Sequence, residues 1–329
     1  MGHLSAARRD TSTAVLQGIR RDIPGTTCRE RILRPGAPLA LSQAHRMRIV
    51  TVEPERGATP IEEGWLLRFC ADSGPRPNVT FVSAHPDDEV IGAAARLPAL
   101  EGRCRFVHVT DGAPHDMRDA GYMGFTSREA YARARLVEAH MALARAGVTA
   151  DSCTELDVTA KEAVHHAADI ARALADLFAL QPPDVIVTHP YEGGHPDHDA
   201  TAFAVHAAVR LVEDTTGRRP VIVEMTSYHA GAFGMRTGAF LPGTEPVRTI
   251  RLSPASRLLK REMLACLETQ RHMLTPFMCD VERFRLAPEY DFTRAPHERP
   301  LFYEGFDWGM DGAAWRDLVA RSLESLSLS

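Results

Sequence analysis

Lysine is nearly missing from this 329-residue chain: Lys161 and Lys260 are its only two, and arginine carries the rest of the positive charge. That preference points to a GC-rich genome and excludes nothing about function. No stretch approaches the roughly 18 uninterrupted apolar residues that a membrane span needs. The first residues also lack the apolar core of a secretory signal, so a cytoplasmic location is expected. The six cysteines (Cys28, Cys70, Cys104, Cys153, Cys266, Cys279) form no C-x-x-C pair. Zinc-knuckle and dithiol redox motifs are thereby excluded, and the thiols are expected to be reduced and mostly buried. There is no internal repeat or low-complexity tract, and no G-x-G-x-x-G follows the first strand-like run, which argues against a dinucleotide cofactor. A net charge of −5 with 25% charged and 44% hydrophobic residues gives neither a nucleic-acid groove nor an acidic tail. The expected partner is a small molecule, with no nucleic acid and no membrane span, and with homo-oligomerisation left open.

What is present begins with a basic arm. Residues 1–57 carry ten arginines against five acids and mix Gly, Pro, Ser and Thr without sustained periodicity. They are expected to form a poorly ordered or wrapping extension more than a transit peptide. From about residue 78 apolar runs alternate with amphipathic segments, the pattern of parallel strands joined by crossover helices. Strands are expected over residues 78–84, 105–110, 154–158, 184–188 and 220–227. Thr126-x-x-Glu129 and Thr159-x-x-Glu162 fit capping boxes, and Ser253-Pro254 fits an N-cap followed by proline at the first helical position. The expected fold is a single α/β domain over 78–329 with a Rossmann-like, mostly parallel sheet. Residues 1–77 precede it as an extension, and a C-terminal segment completes the pocket.

The chemistry is concentrated at two strand ends. The first strand runs into Ala84-His85-Pro86-Asp87-Asp88-Glu89, and the fourth into His189-Pro190-Tyr191-Glu192-Gly193-Gly194-His195-Pro196-Asp197-His198-Asp199. Ligands of open α/β sheets sit at such ends. His85, Asp88 and His198 together make a three-ligand zinc site with an open position. Asp87 beside it suits a general base. His195 suits an oxyanion partner or acid, with Asp197 holding its ring. The bland alternative has weight, because Asp87, Asp88, Asp197 and Asp199 all stand where helix N-termini favour acids, and a lone His at a strand end is usually structural. Two His-Pro-Asp clusters at two strand-to-helix junctions of one domain are improbable as caps alone. His108, inside the second strand, reads as a satisfied core residue, and His165 and His166 as surface. Tyr228 and His229, after the fifth strand, are placed to line a cleft.

AHPDDE and HPDHDAT resemble the paired signatures of the LmbE-like, or PIG-L, family of zinc-dependent N-acetylglucosaminyl deacetylases. The resemblance covers roughly residues 78–275, with weaker echoes at Thr110-Asp111-Gly112, Arg135-x-x-Glu138, Lys260 and Gln270. It implies that His85, Asp88 and His198 bind Zn2+, that Asp87 is the base, that His195 is the acid or oxyanion partner, and that Arg135 and Asp111 touch the sugar. A solvated helix face would account equally for Arg135, and a turn for Asp111. The chain departs from the family in its long N-terminal extension and in a tail with the aromatic stretches Leu301-Phe302-Tyr303-Glu304 and Phe306-Asp307-Trp308.

The expected reaction is hydrolysis of an N-acetyl or N-acyl amide on an amino-sugar-containing molecule or glycoconjugate. Zinc-bound water attacks the carbonyl and Asp87 takes its proton. Three readings compete with it: a zinc amidase for a non-sugar or thiol-conjugate amide, a ligand-binding module that has lost catalysis, and a structural metal clip.

Overall fold

Strands buried on both faces need no polar side, which is why the central strands of this protein read as continuous Val, Ile and Phe runs. The computed structural model describes residues 48–50, 59–277 and 280–328, all within the unit Gln43–Ser329. β2 (Val79–Ser83), β3 (Cys104–Thr110), β4 (Cys153–Val158), β5 (Val185–Thr188) and β6 (Val221–Met225) match the five expected runs. They pair in parallel in the order β4-β3-β2-β5-β6. Three antiparallel strands, not anticipated from the sequence, extend the β6 edge: β10 (Val281–Leu286), β9 (Arg248–Arg251) and β1 (Arg48–Val50). A separate hairpin pairs β7 (Tyr228–Gly231) with β8 (Gly234–Thr237). The architecture is α/β with a mostly parallel sheet, as expected.

Alternation along β2 divides the core in two. Val79 and Phe81 face one layer, built from α1 (Pro60–Cys70), α2 (Asp88–Ala93), α4 (Arg128–Arg145) and α7 (Pro254–Leu264). Val82 faces the other layer, where α5 (Ala167–Leu180), α6 (Pro196–Thr216) and α9 (Gly312–Leu326) pack. Two short helices remain: α8 (Arg271–Leu274) adds Leu274 to the first layer, and α3 (Arg118–Tyr122) packs Ala120 into a small separate cluster with Ala113 and Tyr131. No helix among the described residues is long and apolar enough to cross a membrane.

Helix starts separate the sequence signals that operate from those that do not. Ser253 caps α7 with Pro254 at its first position, as its sequence indicates. α4 is capped by Ser127, whose side chain accepts from the Ala130 N–H, so Thr126 is not its cap. The Thr159-Glu162 box does not open a helix. Lys161 sits in the left-handed region at φ 72° and donates its N–H to Asp197 Oδ2, which interrupts any helix there, and α5 starts only at Ala167. Cys70 and Cys104 are buried free thiols, Cys153 and Cys266 are half-buried, and Cys28 and Cys279 lie outside the described residues, as does the basic arm apart from residues 48–50.

Helix α1 precedes residue 78 yet belongs to the core. A reciprocal capping box between Thr59 and Glu62 starts it. Phe69, fully buried, meets Phe284 of β10 edge-on at 5.0 Å and Phe81 at 6.4 Å. Removing a ring from such a site costs transfer energy plus a cavity. Phe69→Ala is expected to lower unfolding free energy by about 3–5 kcal/mol in a urea titration; a loss below about 1 kcal/mol would detach α1 from the folding unit.

Candidate functional site

The winding of the parallel sheet reverses at β2: β3 and β4 follow on one side, β5 and β6 on the other. A crevice therefore opens above the carboxyl ends of β2 and β5, the strands that carry the two His-Pro motifs. Thr110 Oγ1, at the end of β3, donates to Ala84 O at 2.8 Å, while Asp88 Oδ2 accepts the His85 N–H at 2.8 Å. α2 then begins at Asp88 with Asp87 as its N-cap residue, and α6 begins at Pro196 with the His195 side chain capping it. Behind α2, the buried Lys260 donates to Ile91 O at 2.7 Å and Glu282 Oε1 at 3.0 Å, fixing that helix against α7 and β10.

His85, Asp88 and His198 converge. His85 Nδ1 lies 3.3 Å from Asp88 Oδ2, His198 Nε2 lies 3.3 Å from Asp88 Oδ1, and the two ring nitrogens are 3.3 Å apart. Donors held tetrahedrally at zinc–ligand distances of about 2.0–2.1 Å would be separated by roughly 3.3–3.4 Å. The Asp88 contacts use its two oxygens in turn, and the His/Asp cluster around them could hold a metal ion such as zinc. The charges point the same way. Burial disfavours a charged His85, yet its contacts with Asp197 and Asp88 outweigh this and lift its pKa to about 10. Burial likewise opposes ionisation of Asp88, but His198 and His189 hold its carboxyl well below the usual range. His198 is depressed to about 4, chiefly by burial. The cluster calls for one positive charge at its centre, which a cation or a proton can supply.

Two neighbouring histidines take other parts. His189 stacks on His198 at 4.1 Å, but its Nε2 accepts the Ala84 N–H at 3.0 Å, so that lone pair is already used. His195 Nδ1 accepts the Asp197 N–H at 3.1 Å, which places the proton of its neutral ring on Nε2. Burial, then the charges of His85 and His198, keep the His195 pKa well below its ordinary value.

Asp197 holds a different ring from the one expected. Its Oδ2 is 3.1 Å from His85 Nε2 and 3.8 Å from His195 Nδ1, because the Lys161 N–H at 2.6 Å and the Ala163 N–H at 3.2 Å draw the carboxylate toward the start of the β4–α5 connection. With a cation bound at His85 the arrangement would be carboxylate–histidine–metal, in which the carboxylate fixes the ring and makes the ligand nitrogen more basic. Ser227 Oγ lies 3.3 Å from His198 Nδ1 as the matching partner for the second ring. Asp199 accepts the N–H groups of Glu192 and Gly193, clamping the loop between the motifs. Neither Ser227 nor the Asp197–His85 pairing was legible beforehand.

Asp87 is buried beside the cluster, and its Oδ2 accepts from Arg135 Nη2 at 2.7 Å. Burial pushes its pKa up and Arg135 pulls it back. Arg135 also donates to Gly112 O, and a Cβ at Gly112 would lie 2.4 Å from the guanidinium, so the Thr110-Asp111-Gly112 turn is shaped to admit it. The guanidinium expected to touch sugar is thus engaged by Asp87. Asp111 pairs with Arg128 and accepts the Ala113 N–H at 2.9 Å, the role of a turn residue. His229 is buried in β7 with Nδ1 bonded to Ala230 O at 2.9 Å, and it alternates with Tyr228, whose ring meets His198 edge-on at 5.3 Å. His108 pairs with Glu89 at 3.3 Å inside the core, and His165 and His166 are exposed.

The α/β sheet thus gathers buried His and Asp side chains at its switch point into a cluster that could hold a metal ion. Residues 80–209 match the family described as PIG-L, GlcNAc-PI de-N-acetylase, and the chain carries a PIG-L (LmbE-like) domain over that span. A search of curated proteins finds no match. Similar solved structures include the A40926 pseudoaglycone deacetylase Dbv21, at 19% identity and TM-score 0.49, covering 65% of this chain and 100% of that one. N,N'-diacetylchitobiose deacetylase from Pyrococcus horikoshii aligns at 20% identity and TM-score 0.47, covering 71% and 95%. The 4-carboxy-2-hydroxymuconate hydratase GalB from Pseudomonas putida aligns at 15% identity and TM-score 0.44, covering 64% and 97%.

The Asp197–His85 contact makes a prediction. Asp197→Asn should weaken zinc binding by about 10- to 100-fold in a competition titration with a chromophoric chelator; unchanged affinity would mean that His85 does not depend on this carboxylate.

Proposed function

We propose that the protein is a zinc-dependent amidohydrolase that removes an N-acetyl group from an amino-sugar-containing small molecule or glycoconjugate. One observation carries the proposal: within a PIG-L domain, three buried side chains, His85, Asp88 and His198, approach one another pairwise at 3.3 Å beside a separate buried carboxylate, Asp87. His85, Asp88 and His198 would hold the ion. Zinc bound there supplies Lewis acidity, bringing the pKa of water to about 7 and polarising an amide carbonyl.

The chain's own residues account for the proton traffic. Asp87, ionised and held by Arg135, takes a proton from the attacking water as its oxygen bonds to the acyl carbon. His195 points a neutral Nε2–H at the site, suited to hydrogen-bonding the oxyanion as it forms. Its depressed pKa makes it a poor source of a full proton at neutral pH, so the acid role falls to Asp87, which passes its proton to the departing nitrogen as the carbon–nitrogen bond breaks. A free amine and acetate leave. The amino-sugar assignment draws on the family description. A ligand-binding module that had lost catalysis would not need a base buried against an arginine.

Three outcomes are expected. Acetate release from N-acetylated amino sugars should stop with a chelator and return with zinc. Asp87→Asn should cut turnover by about 10²- to 10⁴-fold with bound zinc and circular dichroism unchanged; near-normal turnover in that variant would leave only a structural metal clip. The pH profile gives the third. A base must be deprotonated, so activity falls as pH drops through the Asp87 pKa, and Arg135 holds that pKa down. Arg135→Met should therefore move the acid limb of kcat/KM to higher pH; a limb that stays put or moves down would contradict the assignment.

A further inference from the structure

Aromatic rings continue outward from the two histidines that face each other across the site. Tyr228 meets His198 edge-on at 5.3 Å, and Phe302 meets Tyr228 at 5.7 Å. Phe306 follows at 5.2 Å from Phe302, Trp308 stacks on Phe306 at 4.6 Å, and Trp308 returns to His195 at 4.9 Å. The chain of rings thus leaves the site at a proposed metal ligand and re-enters it at the proposed oxyanion donor. It is not closed over: Phe306 is 44% exposed.

The strip is built onto the second motif. The Phe302 N–H donates to Gly193 O at 2.8 Å, and Trp315 Nε1 donates to Pro196 O at 3.1 Å. Glu304 accepts the N–H of Leu301 and the N–H of Gly312, each at 2.9 Å, which fixes the turn that presents Phe306. Lys161 Nζ sits 4.9 Å from the Trp308 ring centre and 2.6 Å from Asp116 Oδ2, holding the indole in place. Apolar rings kept partly in water beside a reaction centre are costly unless something apolar covers them. All four rings lie beyond residue 209, where the family match ends.

We infer that the substrate carries an extended apolar group next to its amide and seats that group on the strip formed by Tyr228, Phe302, Phe306 and Trp308. The inference rests on the deacylase reading and sharpens its substrate class: an aryl or alkyl amino-sugar conjugate in place of a small polar sugar. Either the aglycone or the acyl chain can supply that apolar group, and the two are separable by experiment.

Acyl release is measured from N-acetylglucosamine, its phenyl glycoside and N-octanoylglucosamine, with the zinc-loaded full chain. At least one apolar substrate should exceed N-acetylglucosamine in kcat/KM by about tenfold or more, mainly through KM. A gain with the phenyl glycoside assigns the strip to the aglycone, and a gain with the octanoyl amide assigns it to the acyl chain. In Phe306→Ala and Trp308→Ala the ratio of apolar to plain substrate should fall toward one. No gain in the wild type, or a ratio that survives both substitutions, overturns the inference. Calorimetric binding of phenyl glucosaminide and sodium octanoate to the zinc-loaded chain, with glucosamine and acetate as references, is an independent readout. If no substrate is hydrolysed, the deacylase reading fails by itself. Tenfold tighter binding of either apolar ligand than of its reference, lost in Phe306→Ala, would still support the strip, and equal binding in both pairs would overturn it.

Discussion

Two ring nitrogens and the two oxygens of Asp88, brought to contacts of 3.3 Å, repel unless a positive charge sits among them, and the rest of the structure serves that crowding. The sheet brings β2 and β5 side by side with their connections leaving in opposite directions, so two distant motifs end at one crevice. α2 and α6 open there with His85, Asp88 and His198 already directed inward. Asp197 and Ser227 hold the far nitrogens of the two rings, so the inward-facing nitrogens keep their aim.

A second layer of contacts adapts the crowding to chemistry. Arg135 passes through the space left by Gly112 to reach Asp87 and opposes the pull of desolvation on that buried carboxylate. His195 is fixed by the first turn of its own helix, so its free N–H is presented without reorganisation. The late aromatic segment is tied to the same loop through Gly193, which joins the outer surface of the site to its centre.

Much of this was legible in the sequence, for definite reasons. Central parallel strands are apolar on both faces, so β2 to β6 stood out. β9 (RTIR) and β10 (VERFRL) did not, because they carry charges neutralised by partners far away, as Glu282 is by Lys260 and Arg285 by Glu224. The convergence of His85, Asp88 and His198 was readable because each follows a strand end at a fixed offset. The partner of Asp197 was not: two histidines are within reach, and the choice is made by amides of Lys161 and Ala163. Arg135 drew attention by its place in a motif, while its engagement with Asp87 depends on helix register against the β3 turn. The sequence left α1 in the extension, since capping by Thr59 and Glu62 indicates a helix but not the core it joins.

The central claim is that one divalent ion sits among His85, Asp88 and His198. X-ray absorption at the zinc edge of the purified, zinc-loaded protein tests it most directly. The account predicts one zinc per chain in a nitrogen- and oxygen-only shell at about 2.0–2.1 Å, with imidazole scattering halved in His198→Ala. A sulfur-containing shell, or a spectrum unaltered by that substitution, would contradict it.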